Sequence, residues 1–217
     1  VVENLSESEV KAAWTRQWEM GSSIDENASS VGRYLRKQRL QIMYEMLLKL
    51  PKSLSVIDMG SGNGSTLKVI RKAGFENSIG IEYAEKGIQA SIENGFVRDK
   101  DVFNMDAGHT EFQNRHFGIV SSEGLWEHFK DPRPYMDEFI RIADRYIIVI
   151  QPDHYSLFGY FMKVAWDLLR SDKGGVKEYS FYLQYFIDYL KARSFKLIEN
   201  RSTIFREQAV MLFKRMD

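Results

Sequence analysis

The chain of 217 residues contains no cysteine. Disulfides, thiolate catalysis and zinc–thiolate sites are therefore excluded, and the absence fits a reducing compartment. A surplus of either charge is lacking too: Lys plus Arg and Asp plus Glu are both 30, so the formal net charge is zero. A nucleic-acid binder carries extra cations to meet phosphates, which makes nucleic acid a disfavoured partner. Long apolar runs are also missing. The most apolar stretch, Leu157 to Leu169, is broken by Lys163 and Asp167 and is too short for a bilayer, so no membrane association is expected. The first residues, VVENLSESEV, have neither the basic start nor the apolar run of a secretory signal. A cytoplasmic location is the resulting expectation. With only four prolines, no repeat and no low-complexity tract, a single domain over 1–217 is expected.

What is present is an alternation of short apolar runs with helical patterns. Val10, Trp14 and Trp18 fall on one face of a helix over Glu7 to Met20. A polar loop leads to a helix over Ser30 to Leu50, whose stripe is Leu35, Ile42, Met43, Met46, Leu47 and Leu50. Strands are predicted over Ser53–Met59, Ser78–Tyr83, Asp101–Met105, Phe117–Ser122 and Arg145–Ile150, with helices over Ser65–Ala73, Glu85–Glu93 and Pro134–Ala143 between them. Apolar strands separated by helices imply a parallel sheet covered on both faces. Two further helices, Ser156–Arg170 and Lys177–Ala192, precede two strands, Phe195–Phe205 and Gln208–Lys214. The link between those strands is about two residues, which permits only an antiparallel hairpin.

The strongest local motif is VIDMGSGNG, from Val56 to Gly64, which closes a strand and opens a helix. Bare glycine backbone lets a ligand approach closely. Nucleotide phosphates, dinucleotides and S-adenosylmethionine are all bound by such turns. A P-loop would need Gly-Lys-Ser/Thr, and the dinucleotide pattern G-x-G-x-x-G fails at Ser65. Asp58, at the strand end, would repel a pyrophosphate but suits an ammonium group such as the methionine end of S-adenosylmethionine. Glu82 ends the second strand and can accept from ribose hydroxyls. Asp106, after the third strand, can accept from an adenine amino group. Each acid alone could be a helix cap or a surface charge, but together they stand at three successive strand ends that open on one crevice.

The series VIDMGSGNG, GIEYA, NMDA, FGIVSSEGLWEHFKDP and YIIVIQPD resembles the motifs of class I S-adenosylmethionine-dependent methyltransferases, over roughly Ser53 to Asp153. The resemblance implies a doubly wound α/β fold with a seven-stranded, mostly parallel sheet, its last strand antiparallel and inserted beside the fifth, and helices on both faces. It implies S-adenosyl-L-methionine as cofactor. Asp58 and the loop of Gly60, Ser61, Gly62 and Gly64 would hold the methionine part. Glu82 would hold the ribose, and Tyr83 would lie against the adenine. Asp106 and Ala107 would read the adenine edge, and Ser122 and Glu123 would sit near the sulfonium. The family often has Phe-Asp where this chain has Phe117-Gly118.

Glu127 and His128 follow the fourth strand. Similar Glu-His pairs occur in small-molecule members of the class, and in the ubiquinone-pathway enzymes an earlier Glu joins them on a divalent metal. Here that position is Gly124, with Glu123 one place off, so no metal is assigned. The alternative is that Glu127 and His128 cap a helix and shape the pocket. Methyl transfer is an in-line displacement that needs a base only when the acceptor must lose a proton. His128 is the first candidate for that base, His154 the second, and Glu127 a third catalytic candidate. For each His a structural role is the competing reading.

Two regions could cover the acceptor: residues 1–30 and an insertion over 154–178. Tyr155, Phe158, Tyr160, Phe161 and Trp166 suggest an apolar or aromatic small-molecule acceptor, with core and hairpin packing as the rival reading. Gly174-Gly175 could hinge such a lid. Arg33, Arg36, Lys37 and Arg39 read as a solvated helix face rather than an RNA contact. The expectation is O- or N-methylation of a small molecule. The alternatives are an RNA or protein acceptor, or a non-catalytic module that binds S-adenosylmethionine.

Overall fold

The computed structural model describes residues 7–19, 30–170 and 176–216. The loop expected from Gly21 to Ser30 lies outside these up to its last residue, and the Gly174-Gly175 hinge lies outside altogether, as do the side chains of Val10 and Trp166. The chain runs α1 (Glu7–Glu19), α2 (Ser30–Leu48), β1 (Val56–Met59), α3 (Ser65–Lys72), β2 (Ser78–Glu82), α4 (Glu85–Glu93), β3 (Val102–Asn104) and β4 (Phe117–Glu123). After a 3-10 turn, Trp126–His128, come α5 (Arg133–Ile142), β5 (Ala143–Pro152), α6 (Leu157–Arg170), α7 (Leu183–Lys191), β6 (Phe195–Ser202) and β7 (Gln208–Arg215). The seven strands form one sheet in the order β3-β2-β1-β4-β5-β7-β6. β1 to β5 pair in parallel, and β7 lies antiparallel between β5 and β6. This is the doubly wound sheet with the inserted hairpin that the motifs imply.

Strand periodicity sorts the core into two layers. Ile57, Met59, Val120, Ile147, Val149, Met211 and Phe213 pack on one face with Trp126, Met136, Phe139 and Phe186. Their neighbours Val56, Ile119, Ile148, Ile150, Val210 and Leu212 pack on the other with Met43, Met46 and Leu47 of α2 and Leu67 and Ile70 of α3. By the same parity Asp58, Ser121 and Glu123 belong to the α2–α3 face, and Gln151 belongs to the opposite one. The strand order reverses between β1 and β4, so the strand tips open a crevice there. No helix among the described residues is long and apolar enough to cross a membrane.

Three expectations change. The helix predicted from Lys177 begins only at Leu183, because the preceding backbone is bonded elsewhere: Tyr179 N–H donates to Glu127 O at 2.6 Å and Lys177 O meets the His128 ring at 3.0 Å. The hairpin link is longer than two residues, running from 203 to 207, and Thr203 Oγ1 donates to Glu207 Oε2 across it at 2.6 Å. Core packing does not explain the aromatics in and just before α6, although packing on the hairpin link accounts for Phe158. Tyr155, Tyr160 and Phe161 are exposed. Tyr155 stacks on Tyr182 at 3.7 Å, and Phe158 on Phe205 at 4.8 Å.

Candidate active site

The glycine loop is shaped by sterics. Gly60, Gly62 and Gly64 have φ of 73°, 53° and 79°, a region that β-carbon-bearing residues rarely adopt. At Gly64 a Cβ would fall 2.4 Å from the Phe96 ring, and at Gly62 it would meet the Trp18 indole of α1 at 3.4 Å. The sequence suggested backbone N–H groups facing a ligand, but four of them are already bonded within the protein. Gly60 and Ser61 N–H donate to Ile81 O, Gly64 N–H to Ser61 O, and Gly62 N–H to Glu82 Oε2 at 3.0 Å. The glycines thus let β1, β2 and α1 approach one another closely.

Three carboxylates stand at the tips of adjacent strands. Asp58 pairs in register with Gly80 of β2 and Ser121 of β4, and its Oδ1 accepts from Ser121 Oγ at 3.0 Å. Burial, with smaller contributions from the charges of Glu123 and Glu82, pushes its pKa up to about 8 despite the Ser121 hydrogen bond and the Arg36 charge. Glu82 stands two residues further along β2 than the Gly80 level. Its oxygens accept from Gly62 N–H and from Ala84 N–H at 2.7 Å, and burial raises its pKa. Met105 N–H donates to Glu82 O, which brings Asp106 to the next position along the same edge. There Asp106 Oδ1 accepts from Gly108 N–H at 2.9 Å. Ala107 is buried and Tyr83 is half exposed. Trp18 covers this edge, 3.3 Å from where a Cβ of Gly87 would stand, beside Glu82.

Ser122 and Glu123 are committed elsewhere. Ser122 Oγ donates to Met59 O at 2.8 Å. Glu123 accepts from Arg36 Nη2 at 2.9 Å, Arg39 Nε at 2.7 Å and Thr66 Oγ1 at 2.9 Å. Although burial works the other way, the two guanidinium charges hold its carboxyl far below the usual range. The basic cluster is accordingly not a solvated face. Arg36 and Arg39 turn inward onto Glu123, while Arg33 and Lys37 stay exposed. Sequence reasoning missed this pairing. The available signal was two arginines three apart on the helix that also presents the buried stripe. Gly118 is required by packing, since a Cβ there would meet Leu54 at 2.8 Å.

The other half of the crevice lies beyond β4 and β5. Glu127 and His128 are both buried, with Oε1 and Nε2 3.8 Å apart. Burial and then the Glu178 charge hold Glu127 well above the usual carboxyl range. Burial lowers the His128 pKa. Its Nδ1 faces Lys177 O, and Trp14 of α1 meets its ring edge-on at 4.9 Å. His154 is buried too, and its Nε2 lies 3.2 Å from Glu178 Oε2. Residues 176–182 therefore form a strap over Glu127 and His128, and Val176 N–H donates to Gln17 of α1 at 3.2 Å. Gln151 joins this half without having been anticipated, while Glu178 ends the expected 154–178 insertion and Tyr179 stands in the segment read as a helix from Lys177. A polar residue ending the apolar run RYIIVI was the only hint of Gln151. Two clefts flank the region. One, of about 460 Å³, is lined by Lys130, Arg133, Phe181 and Tyr185 among others. The other, of about 670 Å³, is lined by Tyr155, Phe158, Phe161 and Phe205 among others.

A profile of the methyltransferase-domain family matches residues 31–200. The chain belongs to this family of S-adenosylmethionine-dependent methyltransferases, the class to which its sheet order also assigns it. Magnesium protoporphyrin IX methyltransferase of Synechocystis PCC 6803, solved with S-adenosylmethionine, aligns with a TM-score of 0.71 over 100% of both chains at 16% identity. The 1,6-didemethyltoxoflavin-N1-methyltransferase of Burkholderia thailandensis, solved with its namesake compound and S-adenosylhomocysteine, aligns with a TM-score of 0.70 over 100% of this chain and 94% of that one, at 12% identity. Human EEF1A lysine methyltransferase 2 is 46% identical over 43 residues, which are 20% of this chain and 18% of the human protein's length.

Proposed function

We propose that the chain methylates a small molecule, with the cofactor along the tips of β1 to β3 and the acceptor beyond β4 and β5. The observation that carries this reading is Asp58. A buried carboxyl with a strongly raised pKa is stabilised by an incoming ammonium group, and the methionine end of the cofactor supplies one. Glu82 fits the ribose in the same way: a carboxylate has about four lone-pair directions, and two backbone bonds leave room for hydroxyl donors. Asp106 and Ala107 would border the adenine, with Tyr83 beside it. When bound, the cofactor supplies an electrophilic methyl group whose leaving group is a neutral thioether. The protein's own work is to hold the acceptor in line and to exclude water. We assign that cover to α1, through Trp14 and Trp18, and to the strap over 176–182.

A small acceptor is preferred because aromatic Trp14 closes on His128 in the acceptor half and because two of the four cations of the α2 cluster, Arg36 and Arg39, are spent on Glu123. The local match to a lysine methyltransferase supports a second reading, in which a protein lysine is the acceptor. Methyl-labelled cofactor offered to a fractionated cell extract tests both. Label in the low-molecular-weight fraction is expected, and label confined to protein would overturn the small-molecule reading.

A further inference from the structure

The acceptor half holds a group of buried polar atoms with no partner among the described residues. Gln151 is fully buried, and its amide approaches Glu127, although neither Nε2 nor Oε1 reaches good hydrogen-bond geometry with any described residue. Glu127 Oε2, His154 Nδ1 and Tyr179 Oη are also unpartnered. Folded proteins seldom leave so many polar atoms unmet in one place. The groups adjoin one another. Gln151 faces Glu127, whose backbone oxygen takes the Tyr179 N–H, and Glu178 links Glu127 electrostatically to the His154 ring it contacts.

We propose that Glu127, Gln151 and His154 form the floor of an acceptor subsite for a flat, uncharged molecule that offers a donor and an acceptor on one edge, as a lactam or a hydroxyl beside a ring carbonyl does. The inference rests on the methyltransferase reading above and narrows its substrate. A carboxamide with no well-formed hydrogen bond at either end is satisfied at once by a partner that both donates and accepts. Around it, burial raises the Glu127 carboxyl well above its ordinary range, which favours the protonated form that can donate, and Tyr179 can do either. An anionic acceptor would be repelled by Glu178: burial pushes its carboxyl up, but the hydrogen bond to His154, joined by smaller contributions from nearby basic groups, holds it below the ordinary value. An ionised Glu178 accepts from His154 Nε2–H, so the imidazole lone pair is left on Nδ1. His128 donates Nδ1–H to Lys177 O and so keeps its own lone pair on Nε2, 3.8 Å from Glu127 Oε1. His154 is assigned as the proton acceptor because its Nδ1 has no hydrogen-bond partner among the described residues. In the transfer, the acceptor's oxygen or nitrogen lone pair forms the new bond to the methyl carbon. The carbon–sulfur bond breaks with its pair kept by sulfur, and the acceptor's proton passes to His154 Nδ1.

Binding of pyridone, uracil and isoquinolinone to the full chain saturated with S-adenosylhomocysteine, read by thermal shift and ligand-observed NMR, tests the subsite. Benzoate and benzylamine serve as charged controls. At least one lactam is expected to bind more tightly than either control. Gln151→Leu is expected to weaken it by about tenfold or more with S-adenosylhomocysteine affinity unchanged. Gln151→Glu removes the donor, and is expected to shift preference from pyridone to 2-aminopyridinium, which presents its ring N–H and an amino N–H together to a carboxylate. Preference for benzoate or benzylamine, silence of all three lactams, or Gln151 variants that bind pyridone normally would overturn the subsite. A protein that S-adenosylhomocysteine itself fails to stabilise would instead sink the cofactor reading, and the subsite with it.

Discussion

Asp58 ties the site to pH. Its folded pKa of about 8 stands above the ordinary value of 3.8, so between those limits the folded chain holds one proton more than the unfolded one. Its contribution to stability is full below about 3.8 and is lost as pH rises through about 8. An ammonium ligand favours the ionised form, so binding must expel the proton. Calorimetry of S-adenosylhomocysteine binding at pH 7, in buffers of differing ionisation enthalpy, is expected to show release of about one proton. Affinity should rise with pH and flatten beyond about 8. Asp58→Asn keeps an acceptor for Ser121 and should fold, yet lose the proton release and most of the affinity. Glu123 works with the opposite sign. Its depressed pKa contributes stability that is present above 4.5 and lost as pH falls below it. Arg36→Met takes one of two guanidinium partners from this buried carboxylate and should cost about 1–3 kcal/mol in urea denaturation at neutral pH. The Arg36→Met/Glu123→Gln double variant should cost less than the sum of the two single changes.

At the scale of elements, the turn from β1 into α3 is set by glycine geometry. Gly64→Ala puts a Cβ on a residue with φ of 79° and drives it into the Phe96 ring. A cost of about 2 kcal/mol or more is expected, a loss of roughly 4–8 °C in melting temperature for a chain of this size. A variant that melts like the parent would show that the turn can rearrange freely. The same turn illustrates what the residues disclose unaided. Strand ends, the acids upon them and the closing hairpin are readable because each rests on a short local pattern: an apolar run, a carboxylate after it, a brief link. What stayed hidden depends on partners distant in sequence. The pairing of Arg36 and Arg39 with Glu123 spans more than 80 residues. The late start of α7 was illegible for a related reason, since Lys177 to Tyr182 carry a helical pattern that loses to hydrogen bonds with Glu127 and His128. Whether the aromatics of α6 face a ligand, the core or the hairpin stayed open in the sequence, because composition reports apolarity and not the direction a face points.

For the whole molecule, the reversal of strand order between β1 and β4 divides the crevice into two functional halves. Carboxylates line the tips of β1 to β3, and neutral polar groups lie under the strap beyond β4 and β5. On the proposed reading, the first half decides which cofactor binds. A dinucleotide would bring its pyrophosphate against Asp58, where Glu82 and Glu123 already disfavour more negative charge. An adenosyl amino acid brings a cation to the same place. A ligand at 100 times its dissociation constant stabilises the fold by about 2.7 kcal/mol, which for a chain of this length is a rise of roughly 5–10 °C in melting temperature. S-adenosylmethionine and S-adenosylhomocysteine should both produce that rise, because both carry the ammonium group on which the argument turns. NAD should produce none at the same concentration. Adenosine alone should stabilise weakly, and Asp58→Asn should remove the advantage of S-adenosylhomocysteine over adenosine while leaving adenosine's own effect in place. If adenosine matched S-adenosylhomocysteine in the parent protein, Asp58 would have no role in holding the amino-acid end, and the division of the crevice argued from its charge would fail.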